Sequence, residues 1–300
     1  MDFITPGAVR KPPLWKRARH LFWRLISVLP DRPYLAIKYA TIVGRFPDLK
    51  HARRFTEKLQ VRKIEDRNPL YPTLVDKVDV KPYVAERAGQ EHVVPTYWVG
   101  TNLEEVEWDS IPLPVVVKPT HASAHGFFLR TSSDIEKLMA LRPEEDWLAL
   151  RHDRVNREWA YKNLMPRIII EKMLEDGDRP LTDYRLFAFN GEVVHIELRL
   201  RKDEGIYEYT YSPDWKRLPV RTGDYLYSTE EAPKPSRLEE MLEVARKLSS
   251  GISFMRVDLY ASDDWVCLGE MTLYPAGGFE TYQPEDYDLF LGSEWERCNK

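Results

Sequence analysis

Arg256-Val257-Asp258-Leu259-Tyr260 and Leu268-Gly269-Glu270-Met271-Thr272-Leu273-Tyr274-Pro275 carry the densest chemistry in the chain. Both alternate polar with apolar residues as half-buried strands do, and the polar turn around Ser262-Asp263-Asp264 joins them. A hairpin centred on Asp263 sets Arg256 opposite Glu270, with Asp258 one diagonal step away. Side chains two apart share a strand face, so Arg256, Asp258, Glu270 and Thr272 point one way. Met255, Val257, Leu259, Met271 and Leu273 point the other way, into a core. An arginine, two carboxylates and a hydroxyl are costly to bury together unless a multivalent ligand engages them. Hard oxygen donors at this spacing suit Mg2+ carrying a nucleotide phosphate. A solvated face with a cross-strand Arg–Glu pair accounts for the same pattern, and the hairpin by itself leaves both readings open.

Two upstream segments offer matching chemistry. Pro114-Val115-Val116-Val117-Lys118-Pro119 is a β-branched strand ending in Lys-Pro, followed by the small-residue loop His121-Ala122-Ser123-Ala124-His125-Gly126. Such a loop lets backbone N–H groups approach an anion while the ammonium of Lys118 adds a point charge. It is not a P-loop, since no GxxxxGKS or GxxxxGKT run precedes a helix, and a hydrated strand-end lysine fits equally. In Arg167-Ile168-Ile169-Ile170-Glu171-Lys172-Met173-Leu174 an apolar strand turns at Glu-Lys. There the backbone could bond a flat base, with Met173 and Leu174 packed on its face. Asp183 opens the next strand, where a carboxylate could accept hydrogen bonds from ribose hydroxyls. An ordinary interstrand turn is the alternative.

The surrounding elements follow from periodicity. Leu14 to Leu29 is a basic amphipathic helix, with Trp15, Ala18, Phe22, Leu25, Ile26 and Leu29 on one stripe and Lys16, Arg17, His20 and Arg24 largely off it. It suits either an anionic membrane surface or packing on its own domain. Residues 34–65 read as helical with a break near Phe46-Pro47-Asp48, residues 67–72 as a rigid connector, and Thr73 to Ala88 as helix stopped by Gly89. Strands and turns then dominate, with Ser133 to Leu141 (Ser133 as N-cap) and Ser236 to Ser250 as helices. The expectation is an α+β protein: residues 1–95 mainly helical, 96–175 a small lobe, and 176–300 a C-terminal lobe with the metal site.

Composition narrows the class. With 300 residues, 43% apolar and 31% charged, the chain is an ordinary globular protein, and a net charge of −4 gives no basic field for nucleic acid. Two cysteines without a CxxC form neither a zinc site nor a disulfide framework. A reducing cytoplasm is the expected setting. No run reaches membrane-spanning length, and the first residues lack the compact apolar segment of a secretion signal.

Taken in order, these pieces resemble the ATP-grasp fold, in which two α+β lobes clasp ATP, here preceded by a mainly helical region. The resemblance runs from Lys77 to Gly278. It is most similar to the TupA-like (teichuronopeptide biosynthesis) branch associated with bacterial surface polysaccharides, for which the likeness extends from about Phe55 to Phe279. The residues carrying it are Arg67-Asn68-Pro69-Leu70-Tyr71 with Val75-Asp76-Lys77, Val117-Lys118-Pro119-Thr120-His121, Asp183-Tyr184-Arg185 with Phe189-Asn190-Gly191, and Arg256-Val257-Asp258 through Gly269-Glu270-Met271-Thr272.

That resemblance implies roles for particular residues. Lys77 and Lys118 would meet the phosphates, with the loop at His121 and Ser123 over them. Glu171, Lys172, Met173 and Leu174 would frame the adenine, and Asp183 with Arg185 the ribose side. Asp258, Glu270 and Thr272 would hold Mg2+, and Arg256 would act on the transferred phosphoryl group. Thr272 stands where many such ligases have Asn, the loop has one glycine, and no Rossmann-like first domain is evident. The activity implied is ATP- and Mg2+-dependent carboxylate–amine ligation through an acyl phosphate. It would join an amine or amino acid to a uronic or other acid of a surface polysaccharide, in the cytoplasm and with peripheral contact at the inner membrane. A sugar kinase of the same fold and a degenerate glycan-binding protein are the alternatives.

Overall fold

In the computed structural model, residues 23, 26–123, 125–177, 181–202, 205–223, 225–228 and 230–300 are described. Helices α1 (Asp31–Val43), α2 (Phe55–Glu65), α3 (Tyr71–Val75) and α4 (Val80–Arg87) precede the first strand. Gly44, at φ 84°, closes α1 in the left-handed conformation that a glycine adopts without steric cost. Most of the basic stretch 14–29, and its expected membrane face, lies outside the described residues. Its described part packs inward, with Trp23, Ile26 and Leu29 against Tyr34, Leu35, Tyr39 and Phe279.

The expected single helix over 73–88 is split, because the side chain of Asp76 accepts the N–H groups of Val78 and Asp79 at 2.9 and 3.0 Å. A short acidic side chain competes with the helical ladder in this way. The break delivers Lys77 to a loop, where its N–H donates to the Thr120 carbonyl (3.2 Å).

Strands β1 (Thr96–Gly100), β2 (Val115–Pro119), β3 (Phe127–Leu129) and β4 (Ile168–Lys172) form an antiparallel sheet in the order β1-β4-β2-β3. Helices α5 (Ser132–Leu141), α6 (Pro143–Leu148) and α7 (His152–Asn156) lie between β3 and β4 in the chain. Val115, Val117, Leu129, Ile168 and Ile170 bury one face against Leu138 and Trp147. Thr131, rather than Ser133, caps α5, in a capping box closed by Asp134.

The larger sheet contains β5 (Asp183–Phe189), β6 (Glu192–Lys202), β7 (Gly205–Tyr211) and β8 (Arg217–Leu218). After β9 (Arg221–Thr222) and helix α8 (Leu238–Ser249) it is completed by β10 (Met255–Ala261) and β11 (Val266–Thr272). Its order is β11-β10-β5-β6-β7-β8, antiparallel throughout. Met241, Val244, Ala245 and Leu248 of α8 seal one face over Leu186, Ile196, Leu198, Val257, Leu259 and Met271. Each such apolar side chain contributes roughly 1.5–3 kcal/mol on burial. The opposite face is polar around Arg185, Glu197, Arg256 and Asp258, and aromatic where Phe187 and Phe189 pack beneath the last helix. β12 (Tyr282–Gln283) pairs with β9, and α9 (Asp286–Cys298) packs against α2, where Phe55 meets Phe187, Phe189, Phe254 and Trp295. Among the described residues no helix is long and apolar enough to cross a membrane.

Candidate nucleotide and metal site

The β10–β11 hairpin brings its four polar residues to one face, but in a register other than the one its turn suggests. Arg256 pairs with Thr272 and Asp258 with Glu270, whereas Leu259, Tyr260 and Ala261 pair with Leu268, Cys267 and Val266. The two-residue turn at Asp263-Asp264 moves the centre by half a residue, and a bulge between Asp258 and Leu259 inserts Gly269. That extra residue reverses the in–out parity of β11. Val266 and Leu268 face the core before it, Met271 after it, and Glu270 and Thr272 turn to the polar face. A Cβ on Gly269 would lie 2.7 Å from Tyr260 Cε2, so only glycine fits under that ring. Gly269→Ala is expected to cost about 1–3 kcal/mol, as overpacking does, and denaturant unfolding measures it. A neutral result would mean that the bulge tolerates a side chain.

Cross-strand register extends the polar face into a row, Glu270–Asp258–Arg185–Glu197, from β11 through β10 and β5 to β6. Arg256 grips Asp258 with both arms of its fork, Nε to Oδ1 at 2.7 Å and Nη2 to Oδ2 at 2.6 Å, and Nη2 also reaches Thr272 Oγ1 at 3.1 Å. Arg185 holds a single oxygen of Asp183, its Nε donating to Oδ2 at 2.8 Å and its Nη2 ion-pairing with that oxygen at 2.7 Å. Burial pushes the Asp258 carboxyl up to about 6 against the pull of Arg256. Burial also opposes charge on Glu270, but Lys77, Arg256 and Lys118 win and lower its pKa. A buried and a half-buried carboxylate in register, with a hydroxyl two residues along, are a hard-oxygen donor set that fits Mg2+.

The lysines face this row from the smaller sheet and the helices. Lys77 Nζ donates to the Ala122 carbonyl at 2.8 Å and stands 3.9 Å from Glu270 Oε1. Lys118 ion-pairs with Glu171 Oε1, while Lys81, which sequence reasoning missed, takes Glu171 Oε2 at 3.1 Å. Burial disfavours charge on Glu171, but the two lysines outweigh it and lower its pKa. A slot of about 20 Å3 lies among Lys77, Lys81, Lys118, Glu171, Leu268 and Gly269. It has room for about one water, so an entering nucleotide must part the lysine–glutamate contacts.

At the turn after β4, Lys172 and Met173 donate their N–H groups to the carbonyls of Pro95 (2.9 Å) and Pro114 (3.1 Å). The Met173 side chain is buried and the Lys172 side chain exposed. His121, in the loop, is buried with neither ring nitrogen hydrogen-bonded among the described residues, and His125 Nδ1 meets the Ser123 carbonyl at 2.7 Å. Sequence reasoning also passed over the acids farther along the polar face, Glu197, Glu208 and Glu280. Glu197 and Glu208 were signalled by polar–apolar alternation in β6 and β7.

Residues 57–296 match the family described as TupA-like ATPgrasp. No curated protein is significantly similar to the chain. Among solved structures, D-alanine–D-alanine ligase from Bacillus anthracis aligns at 15% identity and TM-score 0.41, over 67% of this chain and 57% of that one. ATP-grasp ligase PsnB, complexed with a phosphomimetic variant of minimal precursor, Mg and ADP, aligns at 11% identity and TM-score 0.44, over 98% and 76%. N5-carboxyaminoimidazole synthase from Aspergillus clavatus aligns at 13% identity and TM-score 0.38, over 67% and 44%. The chain spans less than two thirds of the length of the first solved structures it matches.

Proposed function

The chain belongs to the TupA-like ATP-grasp family, and from that premise we propose that it is an ATP- and Mg2+-dependent carboxylate–amine ligase. Supporting this is the one polar face that joins Glu270, Asp258, Arg256 and Thr272, with Lys77 Nζ 3.9 Å from Glu270. Asp258 and Glu270, with Thr272 beside them, would hold the metal, which supplies positive charge to phosphate oxygens when bound. Lys77 and Lys118 bind the phosphates, and the loop at His121 and Ser123 covers them. Glu171 to Leu174 frame the base, and Asp183, steadied by Arg185, meets the ribose. A substrate carboxylate attacks the terminal phosphorus, ADP leaves, and an acyl phosphate remains. An amine then attacks the acyl carbon and phosphate departs. The sheet strands hold these groups on one face in advance, and such preorganisation lowers the barrier.

The acid belongs to a uronic or other sugar acid of a bacterial surface polysaccharide, and the amine to an amino acid or small amine. The protein works in the cytoplasm, touching the inner membrane through the basic residues Lys16, Arg17, His20 and Arg24. Salt-sensitive sedimentation with anionic liposomes, lost on deleting residues 1–30, tests that contact. Mass spectrometry of products from ATP, a uronate glycan and an amino-acid pool tests the reaction. The expected products are ADP and a conjugate lighter than its two partners by one water. A phosphorylated sugar formed without any amine would make the protein a kinase, and no ATP consumption would make it a binding protein.

Lys118→Ala should weaken ATP binding by about 10- to 100-fold, the ~1.5–3 kcal/mol carried by a charge-assisted contact. The variant also frees Glu171 Oε1, whose charge then repels phosphate. Unchanged affinity by calorimetry would leave Lys118 as a strand-end lysine paired only with Glu171.

A further inference from the structure

We propose that the polar face of the six-stranded sheet continues past Arg185 into a subsite for the ammonium group of the acceptor amine, formed by Glu197, Glu208 and Glu280. Glu197 pairs in register with Arg185 on one side and Thr210 on the other, and Glu208 pairs with Arg199 in the adjacent row. All five therefore share the face that carries Asp258 and Glu270. Glu280 reaches the same patch from beyond β11, close enough to Glu197 and Arg199 to feel both charges.

Unused hydrogen-bonding capacity marks this patch as a place for a donor. Glu208 is 5% exposed, and its Oε2 accepts from Arg199 Nε at 2.6 Å, while its Oε1 is buried with no partner among the described residues. Among the described residues the hydroxyls of Thr210 and Tyr282 are also buried and unpartnered, while His195 Nε2 stands 3.6 Å from Glu197 Oε1. Buried polar atoms without partners are few in folded proteins, and a cluster on one sheet face calls for an occupant. Charge gives the sign of that occupant. The arginines beside these three carboxylates are already engaged, Arg199 by Glu208, Arg256 by Asp258 and Arg185 by Asp183. Burial, then mutual repulsion with Glu197, pushes Glu208 up to about 8 and Glu280 up to about 7.

The spacing favours an ammonium over a metal ion. Among the described residues the one group whose ligand atoms gather within 4.8 Å is Glu192, Glu294 and Cys298, elsewhere on the surface. Three N–H donors can instead bridge acceptors that stand apart.

The amine's fate rests on the ligase reading; the binding of an ammonium does not. In that reading the bound ammonium passes one proton to a carboxylate of the subsite, and the freed lone pair attacks the acyl carbon. The acyl–oxygen bond breaks, and phosphate leaves with a second proton from the nitrogen, giving the amide and hydrogen phosphate.

The test uses 13C-labelled methylammonium, titrated by NMR into the full chain with and without Mg2+–ADP. A fluorescent ADP analogue measures nucleotide binding in parallel. Saturable methylammonium binding is expected, weakened at least tenfold in Glu208→Gln and in Thr210→Val, with ADP affinity unchanged in both. Circular dichroism checks folding, and Glu280→Gln replaces any variant that fails to fold. No saturable binding to the wild type, equal binding in the variants, or displacement of the probe by micromolar Mn2+ would overturn the subsite. Loss of ADP binding in the wild type, with methylammonium binding retained, would overturn the ligase reading and leave the subsite standing.

Discussion

Glu270→Gln is expected to abolish turnover while the protein stays folded, and calorimetry should show ATP binding that no longer responds to Mg2+. The carboxamide keeps the volume and leaves the bond from Lys77 to the Ala122 carbonyl in place. What disappears is a charge that Lys77, Arg256 and Lys118 hold ionised inside the protein. Losing one preorganised charge at a phosphoryl-transfer site costs about 100- to 1000-fold in kcat, and losing a metal ligand adds to that. Asp258→Asn should have the same kinetic effect with an added loss of stability. It leaves Arg256 buried without the carboxylate that both arms of its fork engage, and an uncompensated buried charge costs about 3–5 kcal/mol. The comparison is informative because only Asp258 has this second role. Normal turnover in both variants would remove the metal assignment.

Much of this site was legible as alternation. β-branched and alternating runs gave the strands, and residues two apart gave the shared face of Arg256, Asp258, Glu270 and Thr272. Its register was less legible, because a turn and a bulge each shift pairing. The bulge did leave a trace in the sequence, since apolar residues fall at 266 and 268 and then at 271 and 273, with Gly269 where the parity breaks. Lys77 shows the limit of local reasoning. Periodicity runs a helix straight through it, and the Asp76 carboxylate that breaks it also accepts from Arg167, 91 residues away, at 2.9 Å. The lysine pair around Glu171 was hidden for the same reason, since Lys81 comes from α4 and Lys118 from β2. Hydrogen bonds between distant elements carry no local pattern. They are made by tertiary packing, and the packing brings Lys77, Lys118 and Glu270 together.

Arg256→Ala is expected to lower kcat about 100- to 1000-fold with the KM for ATP nearly unchanged. The argument starts from what Arg256 holds in the absence of ligand, both oxygens of Asp258 and the Thr272 hydroxyl. If Asp258 and Thr272 turn to Mg2+, the guanidinium is released on the same sheet face, beside the phosphoryl group in transfer. Negative charge there grows only as the reaction proceeds, so the contact strengthens in the transition state and adds little to ground-state affinity. Mg2+ affinity should not fall in this variant, because a competitor for Asp258 has been removed. Arg256→Lys should stay close to Arg256→Ala in kcat, since an ammonium cannot reproduce a planar fork that spans two oxygens and a hydroxyl. The opposite pattern, weakened ATP binding with kcat retained, would make Arg256 a ground-state clamp on the phosphates. A variant that lost Mg2+ affinity as well would mean that Arg256 positions Asp258 as a ligand instead of competing for it.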